Sequence, residues 1–296
     1  MALAQRVFDV PRLRHHDGLR SFLVASWLGW QIESNWADPF LFAVYAITRP
    51  LANVLILVVM YAVITDGAFA QPIFPYIYLG NALYILVGQV ITGVSWAIID
   101  DREHYRVAKY LYTAPIDGYA YLFGRGVARV LIGTISVLIV IAFGILLFRL
   151  PIHLRTVDWS LLLFSTALGV AALAGLGVIM GALTMTMARH FWSVGEAVAG
   201  ALYLFSGAIF PLDLLPSWLQ PLGFALPVTY WLEAARRALL GPQAHGFQTL
   251  AGLSNVELLA ILAAFVAVLL PGSRLVYRWA LHTAKEKGLI DIETGY

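Results

Sequence analysis

Residues able to do chemistry are few in this chain, and their placement argues against the chain performing a reaction itself. It holds 7 histidines and no cysteine, so no thiolate metal site, disulfide or Cys nucleophile can form. His15, His16, His104, His153, His190, His245 and His282 all fall outside the apolar runs or at their edges. None can serve a serine at mid-membrane depth, and no His-Glu-x-x-His zinc helix occurs. The sequence contains no Gly-Lys dipeptide, so there is no phosphate-cradling loop for ATP. Carboxylates deep in a bilayer would mark an ion or proton path. The candidates Asp100, Asp101, Glu196 and Glu257 all lie near the ends of apolar runs, where they read as interfacial caps or members of ion pairs. Glu196 with Arg189 is the pair placed to gate. No catalytic residue and no metal site is expected.

The remaining polar residues form two groups suited to docking and pairing. The first is Asp100–Pro115. Val107, Tyr110 and Leu111 make an apolar stripe, with Tyr105 beside it, while Arg102, Arg106 and Lys109 make a basic one. Asp100 or Asp101 can cap the start of a helix here, and Pro115 stops it. A short amphipathic helix between two spans is expected to lie along the membrane and dock a cytoplasmic partner, with Arg102, Glu103 and Arg106 at the edge of the contact. The second group follows a membrane run and reads Ser206-Gly207-Ala208-Ile209-Phe210-Pro211 through Pro216, Pro221 and Pro227 to Glu233-Ala234-Ala235-Arg236-Arg237. Apolar pieces broken by prolines and closed by a charged segment predict a cap of two short helices over Asp213–Leu240 at the membrane surface. Glu233 can pair with Arg236 or Arg237 on one helical face. A charge swap is expected to recover part of what either single change loses.

The elements that position these groups follow from composition. Hydrophobic residues make up 60% and charged residues 12%, against roughly 25% charged in soluble domains. This is an integral membrane protein, expected to be one domain over residues 1–296. A span needs about 20 apolar residues, and six runs qualify: Leu41–Ile64, Tyr76–Ile99, Tyr119–Phe148, Trp159–Met187, a short Ser193–Phe210, and Val256–Trp279. Residues 1–40 read as a tail plus an amphipathic interfacial helix over Asp17–Trp36, with Leu19, Phe22, Leu23, Trp27 and Trp30 on one face. Residues 41–279 are the core and 280–296 a second tail. No cleavable signal is visible. Of 19 Lys and Arg, only Arg149, Arg155, Arg236 and Arg237 fall outside when the N-terminus is placed in the cytoplasm. The positive-inside rule therefore puts both termini there. A net charge of +2 is too small to suggest nucleic acid. Gly169–Gly181 is rich in small residues and reads as close helix packing, within the chain or between copies. Tyr45, Tyr61, Trp96, Tyr203, Phe205 and Phe210 are candidates to line an apolar pathway.

The Ser206–Gly241 segment resembles the signature of type-2 ATP-binding-cassette exporter permeases. Ser206, Gly207, Phe210, Pro211, Pro216, Leu226, Pro227, Tyr230, Glu233, Ala234, Arg236 or Arg237, Leu240 and Gly241 carry the likeness. The loop from Arg102-Glu103 to Ala114-Pro115, followed by Gly124-Arg125, is similar to the family's coupling helix and the start of its third span. The usual Glu-x-Gly-Thr element is replaced here by Glu103-His104-Tyr105-Arg106-Val107. The resemblance implies an all-α membrane protein with six spans, an N-terminal interfacial helix, a cytoplasmic coupling helix and short extracellular re-entrant helices before the last span. It implies a dimer of permease chains, a homodimer by expectation, in the cytoplasmic membrane of a prokaryote. A separate nucleotide-binding subunit would hold ATP and Mg, with no cofactor on this chain. The second and fifth spans would face a central cavity, with Trp96, Ala201, Phe205 and Phe210 on the pathway and Pro211, Pro216, Glu233, Arg236 and Arg237 in the extracellular cap. The cargo would be hydrophobic or lipid-linked, with drugs or lipids favoured over polysaccharides. A non-transporting scaffold of the same fold is the alternative.

Overall fold

Proline, aspartate and serine set where the helices begin. The computed structural model describes residues 17–34, 38–187, 191–241 and 250–290, and all regular structure among them is helical. Helix α1 spans Asp17–Ser34. In α2 (Pro39–Thr65), the Asp38 side chain accepts from Phe40 N and Pro39 fills the first turn, where its missing N–H costs nothing. Helix α3 (Ile73–Ile99) runs without a cap into a π-helical turn over Asp100–His104, and a six-residue α4 (Ala108–Thr113) follows. The side chain of Asp117 accepts from Tyr119 N and Ala120 N to start α5 (Gly118–Phe148). Asp158 does the same for α6 (Trp159–Met185). After α7 (Phe191–Phe205) come a 3-10 turn (Leu212–Leu214), α8 (Gln220–Phe224) and α9 (Pro227–Leu240). Ser254 and Glu257 satisfy each other's backbone N–H in a capping box that opens α10 (Asn255–Glu286).

Among the described residues five helices are long and apolar enough to cross a bilayer: α2, α3 with its π turn, α5, α6 and α10. The chain is a multi-pass, all-α membrane protein. The short fifth run forms α7, whose 15 residues reach only about 22 Å at 1.5 Å per residue. It ends at Phe205, before the expected Phe210, because Gly207 turns the chain at φ +75°.

Helix α3 is the centre, packed between α5 and α6 and touched by α7 and α9. Lipid tails are as apolar as leucine, so contact between such helices comes from close packing rather than from escape from water. The Gly169–Gly181 stripe shows this within one chain. Gly169 faces the Trp231 ring of α9, Gly175 faces Leu269 of α10, and Gly177 and Gly181 face Val94 and Ile98 of α3. Helix α1 lies along α5 through its small residues Ser21, Ala25 and Gly29, leaving Leu19, Leu23 and Trp27 exposed on the other side. A Cβ on Gly124 of α5 would lie 2.4 Å from Phe22 O. Gly124→Val is therefore expected to push α1 off α5, costing about 1–3 kcal/mol as overpacking does. A lone cysteine at Ala25, which is fully buried, should then react with a thiol reagent. Unchanged protection would reject this.

Two expectations are corrected by the fold. Asp100–Pro115 is not one amphipathic helix: α3 continues through His104, the chain bends at Arg106 with φ +54°, and only then does α4 begin. Asp100 and Asp101 consequently cap nothing, since they lie inside continuous helical backbone. The segment expected to be a cap does contain two short helices, α8 and α9, but the second does not lie open at a surface. Pro227–Leu240 is buried along its whole length against α3, α6 and α10, because neighbouring elements satisfy its charged side chains.

Candidate functional site

Two polar centres sit at opposite ends of the bundle, with a partly open face between them. The basic end is built on Asp101. Its carboxylate accepts from Arg125 Nη1 at 2.9 Å and from the Tyr121 hydroxyl at 2.9 Å, all three side chains being buried. Tyr121 and Arg125 are one turn apart on α5, and the π turn delivers Asp101 to both. Beside them Arg129 pairs with Glu33 of α1 at 2.6 Å. The Arg129 stem lies flat on Gly93 of α3, where a Cβ would be 2.5 Å from its Cγ. Burial pushes the Glu33 carboxyl above its ordinary range, and the Arg129 charge offsets part of that rise.

The expected docking residues divide by exposure. Arg102 is buried, pairs with Glu103 at 2.9 Å and donates to Met187 O. It braces the root of the loop rather than its rim. Leu111 is half-buried against the cluster formed by Leu122, Ala182 and Tyr277. Val107 is half-buried too. Tyr105, at 42% exposed, and Tyr110, at 65%, project outward with Arg106 and Lys109, and the Lys109 ammonium stands over the Tyr110 ring.

The opposite end is held by α9. Arg237 Nε donates to Glu233 Oε1 at 2.9 Å, one turn away, and both side chains are buried. Its Nη1 donates to Leu253 O and its Nη2 to Leu250 O, each at 2.6 Å, so it ties α9 to the start of α10. Arg236 turns the other way. Its Nε donates to Tyr76 O at 3.2 Å, its Nη2 to Gly207 O at 2.8 Å and Ala208 O at 3.3 Å, and its guanidinium lies 3.7 Å from the Tyr76 ring centroid. A buried charge is tolerated only when so compensated. Pro211 is buried at the break and Pro216 is exposed.

Between the two ends, α3 and α7 are clasped together. The Tyr84 hydroxyl donates to Ala199 O and the Tyr203 hydroxyl to Asn81 Oδ1. Helix α3 is buried over most of its length, yet Gly88, Gln89 and Thr92 are half-buried and Trp96 is 37% exposed, a partly open stripe at three-to-four spacing. Helix α7 shows a parallel one of Ala197, Ala201 and Leu204. Phe205 and Phe210 are half-buried at its end. Tyr61 is not on this face: it is buried among Phe69 and Phe74. The side chain of Tyr45 and the expected Glu196–Arg189 pair lie outside the described residues, since residues 188–190 and the Tyr45 side chain are not described.

Sequence reasoning missed Asp101 as the partner of Arg125, the Glu33–Arg129 pair and Asn81. The available signal was Tyr121 and Arg125, four apart near the start of an apolar run, which places a cation about two turns inside a span.

A family profile described as ABC-2 type transporter matches residues 22–240. Relatives include the "Probable multidrug ABC transporter permease YbhR" of Escherichia coli (strain K12), 24% identical over 159 residues, which are 54% of this chain and 42% of that protein. The "Probable doxorubicin resistance ABC transporter permease protein DrrC" of Mycobacterium tuberculosis (strain ATCC 25618 / H37Rv) is 24% identical over 220 residues, 71% of this chain and 75% of that protein. The chain thus spans less than half the length of the YbhR relatives it matches. The profile begins inside α1 and ends with α9, taking in the Asp101–Arg125 centre, the charged side chains of α9 and the partly open face between them, and on that match the chain belongs to the ABC-2 type transporter family.

Proposed function

We propose that this chain is the membrane-spanning subunit of an ATP-driven exporter, working as a pair of copies with a separate nucleotide-binding subunit that holds ATP and Mg. The observation that carries the reading is the partly open stripe on α3. A helix buried over most of its length leaves Gln89 and Thr92 half-buried and Trp96 exposed, while Ala201 is exposed on the neighbouring α7, as a wall of a pathway shared with a second copy would. The basic end, with Arg106, Lys109, Arg274 and Lys285, faces the cytoplasm by the positive-inside rule. Tyr105 and Tyr110 dock the ATPase there. Helix α1 lies in the inner interface with Leu19, Leu23 and Trp27 toward lipid. The stripe mixes an aromatic with amide and hydroxyl groups, which suits an amphipathic, largely hydrophobic cargo. The doxorubicin-resistance and multidrug names of the relatives agree with that class.

The test is reconstitution of the chain with its ATPase in vesicles holding a fluorescent hydrophobic dye. ATP should drive dye movement, and this chain alone should hydrolyse none. Ala201→Trp should cut transport by roughly tenfold, the loss expected when a pathway contact worth about 1.4 kcal/mol is removed. The complex should stay assembled. Dye movement unaffected by Ala201→Trp would remove α7 from the pathway, and no ATP-driven movement of any amphiphile would overturn the exporter reading.

A further inference from the structure

We propose that Arg236 is a positioning residue that ties the broken end of α7 to the start of α3 through α9, so that this end of the pathway moves as one three-helix block. Its first support is the choice of acceptors. Gly207 and Ala208 lie two and three residues beyond Phe205, the last residue of α7, where the chain has left the helix and its buried carbonyls need donors from elsewhere. Arg236 supplies donors to both from a different helix while its Nε reaches Tyr76 O in the first turn of α3. A single planar fork spans three elements, which an ammonium on a flexible stem cannot reproduce.

The second support is Gly80. A Cβ there would lie 1.9 Å from Arg236 Nη2 and 2.2 Å from Ala208 O. No side chain fits at this point on α3, because the α7 end and the guanidinium occupy the space. The third is Gly207 itself, whose φ of +75° breaks α7 and leaves the carbonyls after it without a helix to hold them. Gly223, whose own Cβ would lie 2.6 Å from Phe205 O, and Thr229, which donates to Gly223 O, close the block from the α8 side. The glutamate of α9 is spent on Arg237, so Arg236 serves the break and not the ion pair.

The role at the pathway rests on the exporter reading, but the tie itself can be tested without transport. The chain has no cysteine, and Ser206 is buried with its hydroxyl beside the break. Ser206→Cys is nearly isosteric and gives a local probe, Ser165→Cys reports the bundle core, and Ser217→Cys is an exposed control. In the full chain assembled with its ATPase, Arg236→Lys should raise labelling of the 206 probe by an impermeant maleimide by roughly tenfold or more, as loss of charge-assisted hydrogen bonds predicts. The 165 probe should stay protected. Gly80→Ala leaves Arg236 in place but takes its space, and should give the same pattern. Where export is measurable, dye moved per ATP should fall while hydrolysis stays close to the parent rate, since the basic end is untouched. Protection of the 206 probe in both variants overturns the tie. Labelling of both the 206 and 165 probes also overturns it, because the arginine would then hold the whole bundle. Labelling as expected with unchanged dye per ATP would confirm the tie and remove its role in transport.

Discussion

Arg237→Ala should leave little folded protein. The substitution removes a guanidinium that holds Glu233 at 2.9 Å and donates to the carbonyls of Leu250 and Leu253 at 2.6 Å. It leaves the buried Glu233 without its cation, which costs about 3–5 kcal/mol. That is a large share of the roughly 5–15 kcal/mol by which typical domains are stable. Thermal unfolding of the detergent-solubilised chain should show a large fall in Tm, and an unchanged Tm would mean that the pair contributes nothing. The charge swap expected from sequence to recover function should now fail. A glutamate at 237 would face two carbonyl oxygens, so Glu233→Arg with Arg237→Glu restores the pair and breaks the tie to α10. Recovery by the swap would show that only the pair matters.

Tyr105→Asp combined with Tyr110→Asp should abolish ATP-driven export while the chain accumulates normally. Both rings are exposed at the basic end, so a carboxylate at either position meets water in the free chain, and in the proposed assembly it would be expelled from an apolar groove of the ATPase. Aromatic anchors at interfaces typically lose about 2 kcal/mol or more when truncated, and two together should release the ATPase. Co-purification of the ATPase with the tagged chain measures this directly, and an intact complex with normal export would reject the assignment. Leu111 is the wrong place for this test. It is packed against the chain's own core, so its loss would disturb the fold before any partner.

The spans could be read because about 20 apolar residues have few alternatives to a transmembrane helix; the caps at Asp38, Asp117, Asp158 and Ser254 went unread although each stands immediately before its helix. The bend after His104 was hidden. A π turn adds one residue to a turn without changing composition, so Asp101 looked like a cap when it was the partner of Arg125. The burial of α9 was hidden for a different reason. Glu233, Arg236 and Arg237 look solvated until their acceptors are known. Those acceptors are backbone carbonyls at Tyr76, Gly207, Ala208, Leu250 and Leu253, which carry no side-chain signature. The pairing of Glu233 with an arginine was legible because i to i+4 spacing on a helix is local. Which arginine, and what the other one does, depended on distant chain.

The burial of α9 bears on how the protein is made. A helix carrying a glutamate and two arginines does not partition into lipid by itself, since each arginine costs about 2.5–3.5 kcal/mol at the bilayer centre during insertion. In the folded chain it sits in a socket formed by α3, α6 and the end of α7. That socket is still incomplete when Leu240 is synthesised, because Leu250 and Leu253, which receive Arg237, come later in the chain. The seat of α9 is therefore completed by residues that follow it in the chain, and its burial depends on the start of α10 being in place.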